Sequence, residues 1–435
     1  MKKLSFILSF LGLLLVLFGI YLLYFRPRFP KDISYPYIGN INENMLVVSD
    51  GNKFGYYNLK NNHILLEYPI ISQMKNEEKI DLSFLQYRDG LAPYTNKTKF
   101  GIIDSMGNIV LKAKYDSVNI FSEDCIFVLK DSKYYIIDSN EKEQINDKYD
   151  EIIRIENTPF FILTNASGKT LYDAKHNQVL FDYILDIQYF VSSDGKSYVI
   201  TVTNELSIKN NYYYEFNAES LKELPGTENL YPVEIENSQI VFVNDSGPVV
   251  LYNLFSNSLN NIIGEYAGFG TFHSNLALVY DNQLNSGYVD SNEQLVIPYL
   301  YKDGTNFNND GISIVSDGTN YGAIDTKNNI VIPFQHKYIT FIDNNIYLVV
   351  DSKSLFSLYD LSSNKTISKA YDFIDYSTMN SKLLIVQKNK KIGLIDIKGN
   401  EIITPKYQDI IIEDQYVITK VKKSKYQIYR IDDLY

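Results

Sequence analysis

The sequence has no tryptophan, one cysteine and four histidines among 435 residues. A lone Cys125 excludes an intramolecular disulfide and a cysteine-based metal site, and in the run Cys125-Ile-Phe-Val it reads as a small buried hydrophobe. His63, His176, His273 and His336 have no partner at a metal-ligand spacing such as His-x-x-x-His. Each reads as a surface loop or strand residue. Basic side chains are outnumbered, 41 against 52, and five of them (Lys2, Lys3, Arg26, Arg28 and Lys31) fall in the first 31 residues, which hold no acid. The remainder carries a formal charge of about −16. That argues against nucleic acid as a partner and against unaided binding to phosphate-rich polymers. There is no Gly-x-Ser-x-Gly elbow and no Walker loop, and Gly268-Phe-Gly270 lacks the third glycine of a dinucleotide loop. The sequence therefore assigns no catalytic, cofactor-binding or metal-ligating residue, and the expectation is a protein that is not an enzyme.

What is present begins with residues 4 to 25, an uncharged apolar run of about 22 residues, long enough for a helix to cross the hydrocarbon core. Lys2 and Lys3 precede it. It leads into Tyr21-Leu-Leu-Tyr-Phe25 and Arg26-Pro-Arg-Phe-Pro30 without a small-residue cleavage site, so it reads as an uncleaved transmembrane anchor, residues 1–25. Pro27 and Pro30 make residues 26–32 a short stiff spacer. A short tail ahead of a long domain favours the tail inside and the rest outside the cytoplasm.

The rest of the chain is organised by one unit. In Lys391-Ile-Gly-Leu-Ile-Asp396-Ile-Lys-Gly-Asn400 an apolar run ends in an aspartate followed by turn residues, which is a hairpin signal. Glu401-Ile-Ile-Thr-Pro405-Lys-Tyr407 completes it, with Pro405 expected at a strand end or an edge. Sharp copies begin at Phe100-Gly101 and Tyr321-Gly322. Weaker ones are centred on Asn58, Asp138, Asp173, Asn217, Asn253, Asp290, Asp360 and Asp432. From Asn253 onward the anchors recur about every 36 residues, a period that signals a solenoid or a propeller. Tyr115, Tyr149, Tyr301, Tyr371 and Tyr407 follow their anchors at a fixed offset.

At these residues the chain resembles the WG-repeat family of bacterial proteins, whose unit reads roughly Trp-Gly-Tyr-Ile-Asp, a glycine turn, Ile-Val-Ile-Pro and Tyr-Asp. The family's tryptophan position holds Phe54, Phe100, Tyr134, Tyr321, Phe356 or Ile392, and its glycine survives as Gly55, Gly101, Gly287, Gly322 and Gly393. The resemblance implies a β-rich repeat array and no defined activity.

A unit of this size cannot bury a sufficient core alone, so stability must come from stacked neighbours. Short, β-branched apolar runs such as Tyr198-Val-Ile-Thr-Val202 and Ile346-Tyr-Leu-Val-Val350 suit strands buried on both faces. The expected fold is all-β: tandem hairpin or blade repeats over residues 33–435, β-propeller-like, preceded by one transmembrane helix. Eleven anchors exceed an ordinary propeller of four to eight blades, which leaves two propellers, a large ring or a superhelical array, with a subdivision near 190–230 as one option. Ile33 to Ile41 looks like the last part of a repeat, and Tyr416–Lys420 with Tyr426–Ile431 like the first two strands of one. The two partial units are complementary and would close a ring by pairing in one sheet.

The anchor aspartates read as turn residues that bond the hairpin backbone. The recurring tyrosines and Tyr212-Tyr213-Tyr214 read as packing between blades, or alternatively as flat rings for a sugar. Lys388-Asn-Lys390-Lys391 and Lys420-Val-Lys422-Lys423-Ser-Lys425 read as solvated tips. The functional expectation is a membrane-anchored, extracytoplasmic scaffold that binds an envelope protein. The alternatives are a glycan-binding module and, further off, a carbohydrate-active enzyme with paired carboxylates in a cleft.

Overall fold

A computed structural model describes residues 31–61, 63–71, 74–76, 79–80, 82–244, 249–343, 345–377 and 382–435. The apolar run 4–25 and residues 26–30 of the spacer lie outside the described residues. Among the described residues no helix is long and apolar enough to cross a membrane. The described chain is all-β, with eleven antiparallel sheets of three or four strands, each of the meander type that makes a propeller blade. The chain divides into two compact units, Met1–Ile120 with Lys406–Tyr435, and Phe121–Pro405. Residues 190–230 lie inside the second.

In the first unit one sheet is built from Tyr37–Asn42, Met45–Ser49, Lys53–Asn58 and His63–Pro69, and another from Leu91–Thr95, Phe100–Asp104 and Ile109–Tyr115. Between them the long interval after Asn58 sends Met74, Leu82, Leu85 and Tyr87 into the core. A third sheet joins the two ends of the described chain. Asp409–Glu413, Tyr416–Lys422 and Lys425–Arg430 supply three strands and Lys31–Ile33 the fourth, with Lys31 opposite Ile428, Asp32 opposite Gln427 and Ile33 opposite Tyr426. Closure by pairing of the two ends is therefore present, but the residues differ from those expected. The closing strand takes in the last two residues of the segment read as a spacer, and Tyr37–Asn42 already belongs to the next sheet. Ile33 packs with Ile41, Leu46, Ile418 and Ile428. Lys31 is buried in the same place, where its ammonium donates to the Leu59 carbonyl and burial lowers its pKa to about 8.

The second unit holds six complete four-stranded sheets, spanning 151–184, 186–223, 231–261, 268–301, 303–336 and 338–366. It also contains the hairpin Cys125–Lys130 with Lys133–Ile137, and the strands Phe373–Asp375, Leu383–Lys388 and Lys391–Asp396. Neighbouring sheets share cores: Leu278, Tyr288 and Ile297 of one pack with Phe307, Val315 and Ile324 of the next.

Nine of the eleven anchors stand at a strand end and open a turn; Asn217 lies two residues past the strand Lys209–Glu215, and Asp432 in a single 3-10 turn after Lys425–Arg430. Asp104 Oδ1 accepts the backbone N–H groups of Met106 and Asn108 at 2.9 and 2.8 Å, and Asp396 Oδ1 accepts those of Lys398 and Asn400 at the same distances. In the sharp copies the residue three past the anchor is left-handed, as in Gly107 (φ 87°), Asn328 (φ 65°) and Gly399 (φ 82°). The family's glycine has a different task. Ser286 pairs with Tyr301 and Tyr288 with Ile297, so the last strand bulges opposite Gly287. A Cβ on Gly287 would stand 2.7 Å from the Ile297 carbonyl oxygen, and one on Gly393 2.4 Å from that of Ile403. Pro298, Pro333 and Pro405 sit in these bulged edge strands, within Leu295–Tyr301, Ile330–His336 and Glu401–Tyr407. The expectation of a strand end or an edge is met at the edge and not at the strand end, the bulge removing the need for a ladder donor mid-strand.

Candidate functional site

The recurring tyrosines are all buried and three of them reach into the following sheet. Tyr301 donates to Asn328 Oδ1 at 2.5 Å, Tyr371 to Glu401 Oε1 at 3.2 Å, and Tyr407 to Gln427 Oε1 at 3.0 Å. They are straps between sheets. Of the triplet, Tyr214 is buried and Tyr212 and Tyr213 half-buried, so these residues offer no flat exposed platform to a sugar. A second strap went unread in the sequence. Lys99, Lys133 and Lys169 each pair with an aspartate seventeen residues on, Asp116, Asp150 and Asp186, the last at 2.5 Å. The constant spacing was visible, but lysine and aspartate are too common for it to stand out.

The histidines divide. His63 is exposed, and His176 lies in a turn with Nδ1 2.7 Å from Asp173 Oδ2, the hydrogen bond that raises its pKa. His273 and His336 are buried at 6% and 8% exposure, contrary to the surface reading. Burial lets an imidazole serve as a packing ring wherever its charge is not needed. Cys125 is buried as expected, and burial pushes its thiol up to about 12.

His273 belongs to the most polar cluster of the second unit. In the strand Tyr231–Glu236, Glu234 and Glu236 are two residues apart and share a face. Asn306 donates through one Nδ2 to Glu234 Oε1 at 2.6 Å and to Glu236 Oε2 at 2.9 Å, which leaves its buried Oδ1 with no donor among the described residues. Thr271 donates to Glu234 Oε1 from both its backbone N–H (3.1 Å) and Oγ1 (2.8 Å). His273 Nε2 lies 3.0 Å from Thr271 Oγ1 and 3.4 Å from Glu236 Oε2. The hydrogen bond from His273, aided by Asn306 and opposed by partial burial, holds the Glu236 carboxyl below the usual range.

Glu236 and His273 face a cavity of about 470 Å³ that is also lined by Asn237, Asn308, Asp310, Phe341 and Asp343. Among the described residues, three carboxylates and no lysine or arginine line it. Phe341 is 41% exposed, so an aromatic ring stands beside concentrated negative charge. The lysine-rich turn at 388–391 borders a smaller cavity of about 360 Å³ with Lys369, and two of these lysines are engaged: Lys369 meets Glu401 at 2.6 Å, and Lys388 donates to the Ala370 carbonyl at 2.8 Å.

Four stretches of the chain, residues 100–134, 287–318, 321–351 and 392–423, match the WG containing repeat family. The chain is a repeat protein of β-propeller-like sheets that carries WG repeats at these four places. No curated protein matches it significantly. Solved structures similar to it include a eukaryotic initiation factor (12% identity, 78% of this chain and 98% of that one, TM-score 0.35). BamB from Moraxella catarrhalis is similar at 12% identity, 64% and 93% coverage and a TM-score of 0.29. The extracellular domain of the putative one component system BT4673 from B. thetaiotaomicron matches at 10% identity, 93% and 71% coverage and a TM-score of 0.28.

Proposed function

We propose that this protein is a membrane-anchored, extracytoplasmic scaffold of the cell envelope that binds a protein partner without turning it over, and that the acidic cavity receives a basic segment of that partner. The observation that carries the reading is the cavity itself. Its size falls in the range of ligand sites, its lining carries Glu236, Asp310 and Asp343 with no basic residue, and Phe341 can meet a lysine or arginine side chain face-on. The apolar run 4–25 with Lys2 and Lys3 before it supports the anchor, and straps between sheets make a stiff display surface.

The test uses the full chain in detergent and a lysine-rich peptide as probe. Wild type should bind in a salt-sensitive manner, and Glu236→Gln with Asp343→Asn should weaken binding by about tenfold or more, on the order of 1.4 kcal/mol. Equal binding by the variant would remove the cavity from the reading. Sedimentation with wall sacculi, competed by soluble sugar, would put glycan in the partner's place. Hydrolysis of a glycoside, abolished by Glu234→Gln, would replace the scaffold with an enzyme. Protease digestion of the repeats in intact cells reads the orientation: protection would place them inside.

A further inference from the structure

His336 ends the strand Ile330–His336 at the position where neighbouring repeats carry a strap tyrosine. The tyrosines reach acceptors in the following sheet, but the shorter imidazole does not. Both of its ring nitrogens are buried and neither has a hydrogen-bond partner among the described residues. The ring is 8% exposed and stands edge-on to Tyr359 of the next sheet, centroids 6.4 Å apart. The core of the seam between the sheets spanning 303–336 and 338–366 is hydrophobic, with Ile314, Ala323 and Ile332 against Ile339, Tyr347 and Val349. The titratable groups around the ring are few. Tyr321 is its backbone partner and Tyr359 its ring contact, Asp351 attracts an imidazolium, and the ammonium of the adjacent Lys337 is turned away onto Ser354 Oγ at 3.1 Å.

The cavity described above is built across this same seam. Asn308 and Asp310 come from one side of it, Phe341 and Asp343 from the other. Asn308 Nδ2 also donates to Tyr347 Oη across it at 3.2 Å. A protonated His336 would place two N–H donors and a charge where no acceptor waits, a cost that opening the seam relieves.

We propose that protonation of His336 opens the seam between these two sheets and dismantles the acidic cavity, so that mild acid releases what the cavity holds. The release rests on the scaffold reading; the opening does not. The sign follows from burial, which lowers the histidine's pKa, with Asp351 opposing in part. A group depressed in the folded state leaves stability intact above its unfolded value, about 6.5, and removes it as pH falls below that toward the folded value.

The test is amide exchange of the full chain in detergent at pH 7.5 and 5.5, corrected for intrinsic rates and read over residues 330–350 without any ligand. Wild type should open roughly tenfold more for each pH unit within the window. His336→Tyr, which restores the strap residue, and His336→Phe, which cannot titrate, should show no such increase. A flat wild type, or the same acid response in both variants, overturns the opening. Affinity for the lysine-rich peptide at the two pH values then separates the two ideas. Acid opening without a His336-dependent loss of peptide overturns the release, and absent binding at pH 7.5 counts against the scaffold reading while leaving the opening standing.

Discussion

Gly287→Ala tests why the repeat keeps a glycine after its aromatic position. The added methyl would sit 2.7 Å from the Ile297 carbonyl oxygen, 3.1 Å from the Pro298 carbonyl carbon and 3.1 Å from the Tyr299 nitrogen. All three are backbone atoms of the bulged strand, so no rotamer relieves the clash. The strand Leu295–Tyr301 must move out, at the expense of its pairing with Ser286–Val289. Overpacking of this kind costs about 1–3 kcal/mol. Alanine recovers about 0.4–1 kcal/mol by restricting the unfolded chain, which leaves a net loss of about 1–2 kcal/mol. For a unit the size of Phe121–Pro405 the unfolding entropy is roughly 0.6 kcal/mol per degree, so the melting temperature should fall by about 2–3 °C. Gly393→Ala, with a 2.4 Å approach to the Ile403 oxygen, should fall further. The assay is differential scanning calorimetry of the full chain in detergent. If both variants melt where wild type does, the glycine is not there for the bulge and the reasoning fails.

The closing sheet makes a second test: Ile33→Ala empties a core position shared with Ile418 and Ile428 and should cost about 2–4 kcal/mol, read as an earlier thermal transition of the first unit. A transition that does not move would mean that Lys31–Ile33 adds nothing to the sheet. The turn at Asp104 makes another. The side-chain amide of Asn108, then its backbone N–H, holds this carboxyl below its ordinary 3.8. A depressed folded value means that the turn is fully supported above about pH 4 and loses support as pH falls through the folded value. Amide exchange at Met106 and Asn108, corrected for intrinsic rates, should stay protected from pH 7 to 5 and lose protection as pH falls through the folded value, and in Asp104→Ala protection should be low throughout. Protection that survives in the variant would assign the turn to Gly107 alone.

The all-β class, the period and nine of the eleven anchors were legible because each of those aspartates or asparagines answers a local demand, a turn whose N–H groups need an acceptor within four residues; Asn217 and Asp432 were read as anchors and accept no such bond among the described residues. The frame was not. The sequence unit from Lys391 runs through two strands of one sheet and stops at Tyr407, where Glu401–Tyr407 ends; the next sheet begins only two residues on, at Asp409–Glu413. Repetition in a sequence has no natural origin, so only hydrogen bonding decides where a sheet begins. Proline position was legible as an edge; the bulge beside it was not, because it depends on a glycine in the partner strand, a contact between strands that spacing along one strand does not reveal. The acidic cavity was invisible for a similar reason. Glu236, His273, Asp310 and Asp343 are spread over more than a hundred residues and meet because four sheets stack. His336 lay in plain view as the residue replacing a periodic tyrosine, and the substitution was readable before its burial was.

The offset between sequence unit and sheet bears on how such a chain can change in length. A duplicated or deleted unit begins and ends partway through a sheet, so each junction is completed by the strands of the next copy, and the number of sheets can drift over generations without leaving a half-built one. The sheet shared by Lys31–Ile33 and Asp409–Arg430 escapes this arithmetic. Its strands come from stretches far apart in the sequence, and no copying event within the array supplies a replacement for either. Lineages of this protein should therefore vary in the middle and hold fast at the two ends.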